Sequence, residues 1–155
     1  MVRINLIEPR NLTDQHLLAE YNEILMLCGY VKKTLEKYYP SYWKDIPRSY
    51  KLGKGHIKFF VNKLEYLFNR FYNIKLELTL RDYAVIKEFP FNDVYPYIKE
   101  DPFNDTYSTN ELWNNWTPTQ SDYDIIMQRL QEKLKMKPNY YTYYGKLVKP
   151  DFYEV

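Results

Sequence analysis

Apolar positions in this chain recur at helical rather than strand spacing. Leu17, Leu18, Tyr21, Ile24, Leu25, Cys28 and Val31 fall on one face of a helix that Thr13 would cap and that runs to about Tyr38. Gly29 lies inside it and marks a place for a kink. Phe60, Leu64, Leu67, Phe71, Ile74 and Leu78 step by four and three, which predicts a second helix from about Gly55 and His56. Lys75 to Arg81 also alternates like a strand, but the longer helical register outweighs it. Ile125, Ile126, Leu130 and Leu134 mark a third helix, opened by Thr117-Pro118-Thr119-Gln120 with Pro118 in its first turn. Tyr39 to Gly55 reads as a loop, punctuated by Pro40, Pro47, Gly53 and Gly55. The pattern predicts an all-α fold: one domain over residues 1–155, with three main helices joined by long aromatic-rich loops.

Composition changes this picture in two ways. Aromatic residues make up 19% of the chain, and 18 of them are tyrosines, more than a core alone would use. The net charge is only +2, so charge alone does not announce a nucleic-acid binder. The charges are unevenly spread, however. Carboxylates gather at Glu88, Asp93, Glu100, Asp101, Asp105 and Glu111, and lysines at Lys133, Lys135, Lys137, Lys146 and Lys149. The acidic region contains an internal echo, Lys87-Glu88-Phe89-Pro90-Phe91-Asn92-Asp93 against Lys99-Glu100-Asp101-Pro102-Phe103-Asn104-Asp105. Two copies are too few for a solenoid. They read as tandem turns with Pro-Phe anchors folded over the core, or as a partner-binding loop.

Cys28 is the single cysteine, which excludes an intrachain disulfide and a thiolate metal site. His16 and His56 lack a paired ligand motif, so no metal is expected. With no secretory or membrane-spanning apolar run, an intracellular protein without a membrane partner is expected.

Five groups of residues could carry chemistry. Val2-Arg3-Ile4-Asn5-Leu6 opens the chain, and an α-amine with a pKa near ~8 is partly neutral at physiological pH and therefore nucleophilic. His16, Glu20 and Glu23 share a narrow stripe on the shoulder of the first helix, where partial burial and a nearby cation pull a carboxylate's pKa in opposite directions. That balance suits a group that takes and returns protons, although spacing alone favours an ion-paired helix edge. Gly53-Lys54-Gly55-His56 precedes a helix start, as a phosphate-binding turn does and as a plain two-glycine turn does too. Arg129 and Lys133, one turn apart, suit phosphate contact or solvent equally. Tyr140, Tyr141, Tyr143 and Tyr144 with Lys146 suit base stacking and phosphate pairing, or an aromatic clasp on the C-terminus; the two pairs could divide these jobs.

Three blocks together resemble the pyrimidine dimer DNA glycosylases of the phage endonuclease V type. They are Arg3-Ile4-Asn5-Leu6 with Asp14-Gln15-His16-Leu17, Ala19-Glu20-Tyr21 and Glu23; Gly53-x-Gly55-His56-x-x-Phe59-Phe60-x-x-Lys63-Leu64-Glu65-x-Leu67; and Lys137-Pro138, Tyr141 and Tyr143-Tyr144-Gly145-Lys146. They occur in order across nearly the whole chain, while residues 88–116 look like an insertion. The resemblance implies an all-α fold with the N-terminal segment threaded between helices. It implies a cofactor-free DNA glycosylase with abasic-site lyase activity, in which the amine of Val2, exposed after removal of Met1, attacks the damaged nucleotide. Glu23 would manage protons, and Arg3 and His16 would line the site. Lys33, Arg129, Lys133 and Lys146 would meet phosphates. Together with Lys54 and His56 of the two-glycine turn and with Tyr140, Tyr141, Tyr143 and Tyr144, they make the expected surface for damaged double-stranded DNA, the protein acting as a monomer. Asn22 and Met26 depart from the family pattern where arginines are usual. A module that keeps the fold and binds DNA or protein without catalysis is the alternative.

Overall fold

The computed structural model describes residues 3–38, 46–93 and 112–154. Its helices are α1 (Asp14–Tyr38), α2 (His56–Phe60), α3 (Leu64–Leu80) and α4 (Gln120–Met136). Strand β1 (Thr142–Tyr143) pairs antiparallel with β2 (Lys146–Leu147) in the only sheet among the described residues. The fold is mostly helical, as the apolar spacing predicts. The chain divides into two compact units, one of Met1–Glu23, Asn73–Ile86 and Pro118–Val155, the other of Ile24–Tyr72 and Lys87–Thr117.

In the first unit, Ile4, Leu12, Leu17, Ile74, Leu78, Ile126, Leu130 and Leu134 are buried. Thr13 caps α1 as expected: its hydroxyl accepts from the His16 N–H at 3.3 Å. Helix α4 starts later than its sequence suggests, so Pro118 precedes the helix instead of lying in its first turn. The reason is a capping box. The Thr119 hydroxyl accepts from the Asp122 N–H at 3.2 Å, and the Asp122 carboxylate accepts from the Thr119 N–H at 2.9 Å.

After α4 the chain makes a tight hairpin that apolar periodicity does not foreshadow. Its two loop residues, Tyr144 and Gly145, have φ of 51° and 79°. Left-handed backbone at both positions is the type I′ turn that suits a two-residue hairpin. Tyrosine in that conformation is strained by about 1–2 kcal/mol. The offsetting bonds come from Asp14 in the first turn of α1, which accepts from the Tyr144 N–H at 3.1 Å and the Gly145 N–H at 2.9 Å.

In the second unit, Ile24, Leu27, Cys28, Val31, Leu35, Phe59, Phe60, Leu64, Leu67 and Phe71 are buried. Helix α1 runs on through Gly29 as one element. Burial pushes the Cys28 thiol up to about 12, so it behaves as a small hydrophobe. The expected second helix is broken into α2 and α3 at Val61–Lys63. A helix start leaves backbone N–H groups without partners, and here another part of the chain takes them. Leu64 N–H donates to the Leu112 carbonyl at 3.0 Å and Tyr66 N–H to the Asn114 carbonyl at 3.3 Å. Lys63 closes the end of α2 through its ammonium, which donates to the Phe59 carbonyl at 2.8 Å; burial lowers its pKa to about 8.

Of the repeated Pro-Phe segments, the first is held chiefly through Phe89, the residue before its Pro90-Phe91 pair, where the second copy has Asp101. Phe89 is buried and packs edge-on to Phe68 and Phe71. Its backbone N–H donates to the Tyr72 hydroxyl at 3.3 Å. The second copy lies outside the described residues.

Candidate nucleic-acid interface and active site

The N-terminal segment of the first unit is buried and bonded to α1. Arg3, Ile4, Asn5, Leu6 and Ile7 are all buried. Glu20, fully buried on α1, accepts from the Asn5 backbone N–H at 2.6 Å. One residue later the chain turns sharply: Ile7 N–H donates to the Asn5 carbonyl at 2.6 Å, with Leu6 at φ 62° between them. That is a γ-turn with its central residue in the strained left-handed region. The turn and the Glu20 bond fix the direction in which Arg3 and Asn5 present their side chains.

Glu23 lies one turn beyond Glu20 and is 5% exposed. Burial pushes its carboxyl above the ordinary glutamate range, Arg3 pulls it back, and the charge of Glu20 adds to the rise. Glu20 and Glu23 are therefore more deeply buried than helical spacing alone indicates, and the N-terminal segment is bonded to the first of them. Val2, the expected nucleophile, lies outside the described residues.

Arg3 and Asn5 line a cavity of about 250 Å³, together with Gln15, His16 and Ala19 from α1, Arg129, Leu130 and Lys133 from α4, and Lys137, Tyr140 and Tyr141 beyond it. Four of its lining residues are cationic and none is a carboxylate. Arg129, Lys133 and Lys137 form a row with a four-residue step. The sequence shows that row, although Lys137 does not stand out by itself. His16 stacks on Tyr141 with ring centroids 4.6 Å apart. Burial, then Arg129 and Lys133, lower the His16 pKa to about 4. The imidazole is thus neutral at physiological pH.

That depression has a measurable consequence. A histidine held neutral in the fold contributes stability that is present above its unfolded pKa of ~6.5 and lost as pH falls through its folded value. Conformational stability should fall between about pH 6.5 and pH 4 by up to about 3 kcal/mol from this group. Urea titrations at stepped pH would show it, and in His16→Gln the acid slope over that window should shrink. An unchanged slope would mean that His16 titrates normally.

The aromatic cluster is divided, but not by pairs. Tyr141 is buried against His16, whereas Tyr140 is 53% exposed beside the cavity with the Lys137 ammonium 4.9 Å above its ring. Tyr143 donates to the Arg10 carbonyl at 2.9 Å, and Tyr144 to Glu77 at 2.9 Å. The Arg81 guanidinium sits 4.6 Å and 4.8 Å from those two rings. Tyr143 and Tyr144 thus have their hydroxyls engaged within the unit, although Tyr144 is 47% exposed, and Tyr140 is the exposed ring beside the cavity. Lys146, on β2, is exposed.

His56 departs most from its expected role. Its ring is 1% exposed, its Nδ1 lies 2.8 Å from the Lys51 carbonyl, and it meets Tyr50 and Phe60 edge-on. It pins the preceding loop and presents no polar atom to a phosphate. Lys54 beside it is exposed, as is Lys33 on α1. The residues that replace the expected arginines carry no charge: Asn22 folds its amide back on the Leu18 carbonyl at 3.2 Å, and Met26 is 68% exposed.

Among the described residues, no group of three or more His, Cys, Asp or Glu side chains could hold a metal ion. No helix among them is long and apolar enough to cross a membrane. The family model of the pyrimidine dimer DNA glycosylases matches residues 1–90, more than half of the chain.

This chain belongs to that family.

Membership makes it a DNA repair protein with pyrimidine dimer DNA glycosylase activity as its general role and DNA as what it binds. The match takes in Arg3, His16, Glu20 and Glu23, and stops before α4 and the tyrosine hairpin. More than half of the cationic cavity of this glycosylase, including three of its four cations, thus stands on residues outside the matched region.

Proposed function

We propose that this glycosylase couples base removal to strand cleavage, with the α-amine of Val2 as its nucleophile and Glu23 as its proton carrier. The observation that carries the reading is the bond from Asn5 N–H to Glu20. It ties the segment that bears the terminus to the turn of α1 that bears Glu23. The substrate would be a cyclobutane pyrimidine dimer or a related damaged base in duplex DNA. The amine nitrogen attacks C1′ and the C1′–base bond breaks. The amine gives up a proton, the C1′–O4′ bond breaks with O4′ taking a proton, and a cationic Schiff base is left. Loss of a C2′ proton then expels the 3′ phosphate by β-elimination, and water releases the enzyme. A Glu23 carboxylate would stabilise the cationic sugar and take the protons; Arg3 would moderate its basicity. Arg129, Lys133 and Lys137 would hold backbone phosphates, and Tyr140 would stack on a base.

Borohydride trapping tests this reading. Wild-type protein incubated with ultraviolet-damaged DNA and borohydride should give a covalent protein–DNA adduct. The adduct should vanish when the terminal amine is reductively methylated at near-neutral pH, where lysines other than Lys63 stay protonated, and it should persist in Lys63→Arg. Damaged DNA that is bound but never trapped would leave a binding module in place of the lyase.

A further inference from the structure

His16 has a partner that lies well outside the matched region. Tyr153, 4% exposed, places its hydroxyl 2.8 Å from His16 Nδ1. The same hydroxyl oxygen accepts from the Thr13 backbone N–H at 2.9 Å. With its oxygen engaged as an acceptor there, the phenol has its hydrogen left for Nδ1. The phenol cannot give up that hydrogen at ordinary pH, because burial pushes its pKa up. The Thr13 hydroxyl, 2.9 Å from the same nitrogen, already accepts from the His16 N–H. Two hydroxyls therefore converge on Nδ1, and the imidazole is left with Nε2 for the cavity it lines.

The tail that carries Tyr153 is itself clamped. Gln131 on α4 donates to the Tyr153 carbonyl at 3.4 Å, and Glu154 pairs with Lys135 at 2.9 Å. Phe152 N–H donates to the Lys149 carbonyl at 3.0 Å, and the Phe152 ring lies against Tyr143. The phenol is delivered to His16 by a built structure.

We infer that Tyr153 is a positioning residue for His16, holding the imidazole in its Nε2–H form with that N–H directed at an oxygen of the bound DNA. Which nitrogen of a histidine carries the proton is set by the bond the other nitrogen makes. A neutral N–H beside Arg129 and Lys133 adds an uncharged directional donor to a cavity lined by four cations. Tyr141, stacked on the ring, fixes its plane. As a statement about catalysis the inference rests on the proposed lyase reading; as a statement about His16 it does not.

The test therefore begins with a readout independent of turnover. In ¹⁵N-histidine spectra of the wild-type protein at neutral pH, His16 should show the Nε2–H pattern. An Nδ1–H pattern there would overturn the inference without any variant. Tyr153→Phe keeps the ring and removes only the hydroxyl. Its His16 should become a mixture of tautomers, and kcat on abasic DNA should fall roughly tenfold with KM little changed, a part of what a positioned proton-handling group supplies. A Tyr153→Phe protein that keeps both the Nε2–H pattern and wild-type kcat would make Tyr153 a packing residue and sink the proposal. If the spectra behave as expected while wild-type protein neither traps nor cleaves DNA, the lyase reading fails and the assignment of His16 stands.

Discussion

Glu23→Gln should lower turnover on dimer-containing and abasic DNA by roughly 10²–10⁴-fold, the range a positioned proton-transfer group contributes. The same substitution should raise the melting temperature at neutral pH. Burial and the negative charge of Glu20 push the Glu23 carboxyl up, and the pull of Arg3 does not reverse this. A carboxyl raised in the fold contributes most stability while it is protonated, and that contribution is lost as pH rises through the folded value. Wherever it is ionised, the group is therefore a burden on the fold. Glutamine has nearly the same shape and carries no charge, so it removes the burden and the chemistry together. Such opposition of stability and activity is common where a site needs a poised charge. Calorimetry across pH checks the sign: the advantage of Glu23→Gln should shrink as pH falls and the wild-type carboxyl becomes protonated. Wild-type turnover in the variant would remove Glu23 from the chemistry. A lower melting temperature at neutral pH would show that attraction to Arg3 outweighs burial.

What the sequence reveals about this molecule follows from how local each determinant is. Helix periodicity is local, so α1, α3 and α4 are legible from their apolar steps. The break between α2 and α3 is not, because its cause is Leu112 and Asn114 supplying carbonyls from far along the chain. The hairpin is missed for the same reason: its strained Tyr144 is held by Asp14, 130 residues away. In the site, the basic row on α4 is a spacing pattern and can be read directly. The depth of Glu20 and Glu23 cannot, since helical phase places a residue on a shoulder without revealing that the N-terminal segment bonds to Glu20. His56 shows the opposite failure. A histidine beside two glycines at a helix start suggests phosphate, but burial turns its polar atoms inward. Tyr153 gives no sequence signal at all, because its meaning lies in a bond to a histidine at the other end of the chain.

Asp14→Ala should be the most damaging single change to the fold, costing about 3–5 kcal/mol against a total stability of about 5–15. Asp14 is fully buried and accepts four bonds. Thr142 hydroxyl donates at 2.6 Å, Gly145 N–H at 2.9 Å, the Arg81 guanidinium at 3.0 Å and Tyr144 N–H at 3.1 Å. Burial alone would raise its pKa; Thr142, Gly145, Arg81 and Tyr144 together hold it below the ordinary aspartate value. The other half of the knot is Arg81, which also donates to Glu77 at 2.9 Å and to the Leu12 carbonyl at 2.8 Å. Removing Asp14 would leave two hairpin amides without acceptors and the strain at Tyr144 without compensation. It would also leave a buried guanidinium with Glu77 as its remaining carboxylate neighbour among the described residues. Losing one partner of a buried charge pair costs far more than the pair is worth against an apolar replacement. The hairpin follows directly from Tyr140 and Tyr141, so its release should also free Tyr141 from His16 and lower DNA affinity as well as stability. Urea unfolding gives the first quantity and a binding titration on damaged duplex the second. Asp14→Asn keeps one acceptor oxygen and should fall between the two. A cost below about 1 kcal/mol for Asp14→Ala, the size of a single ordinary hydrogen bond, would show that the hairpin is held elsewhere.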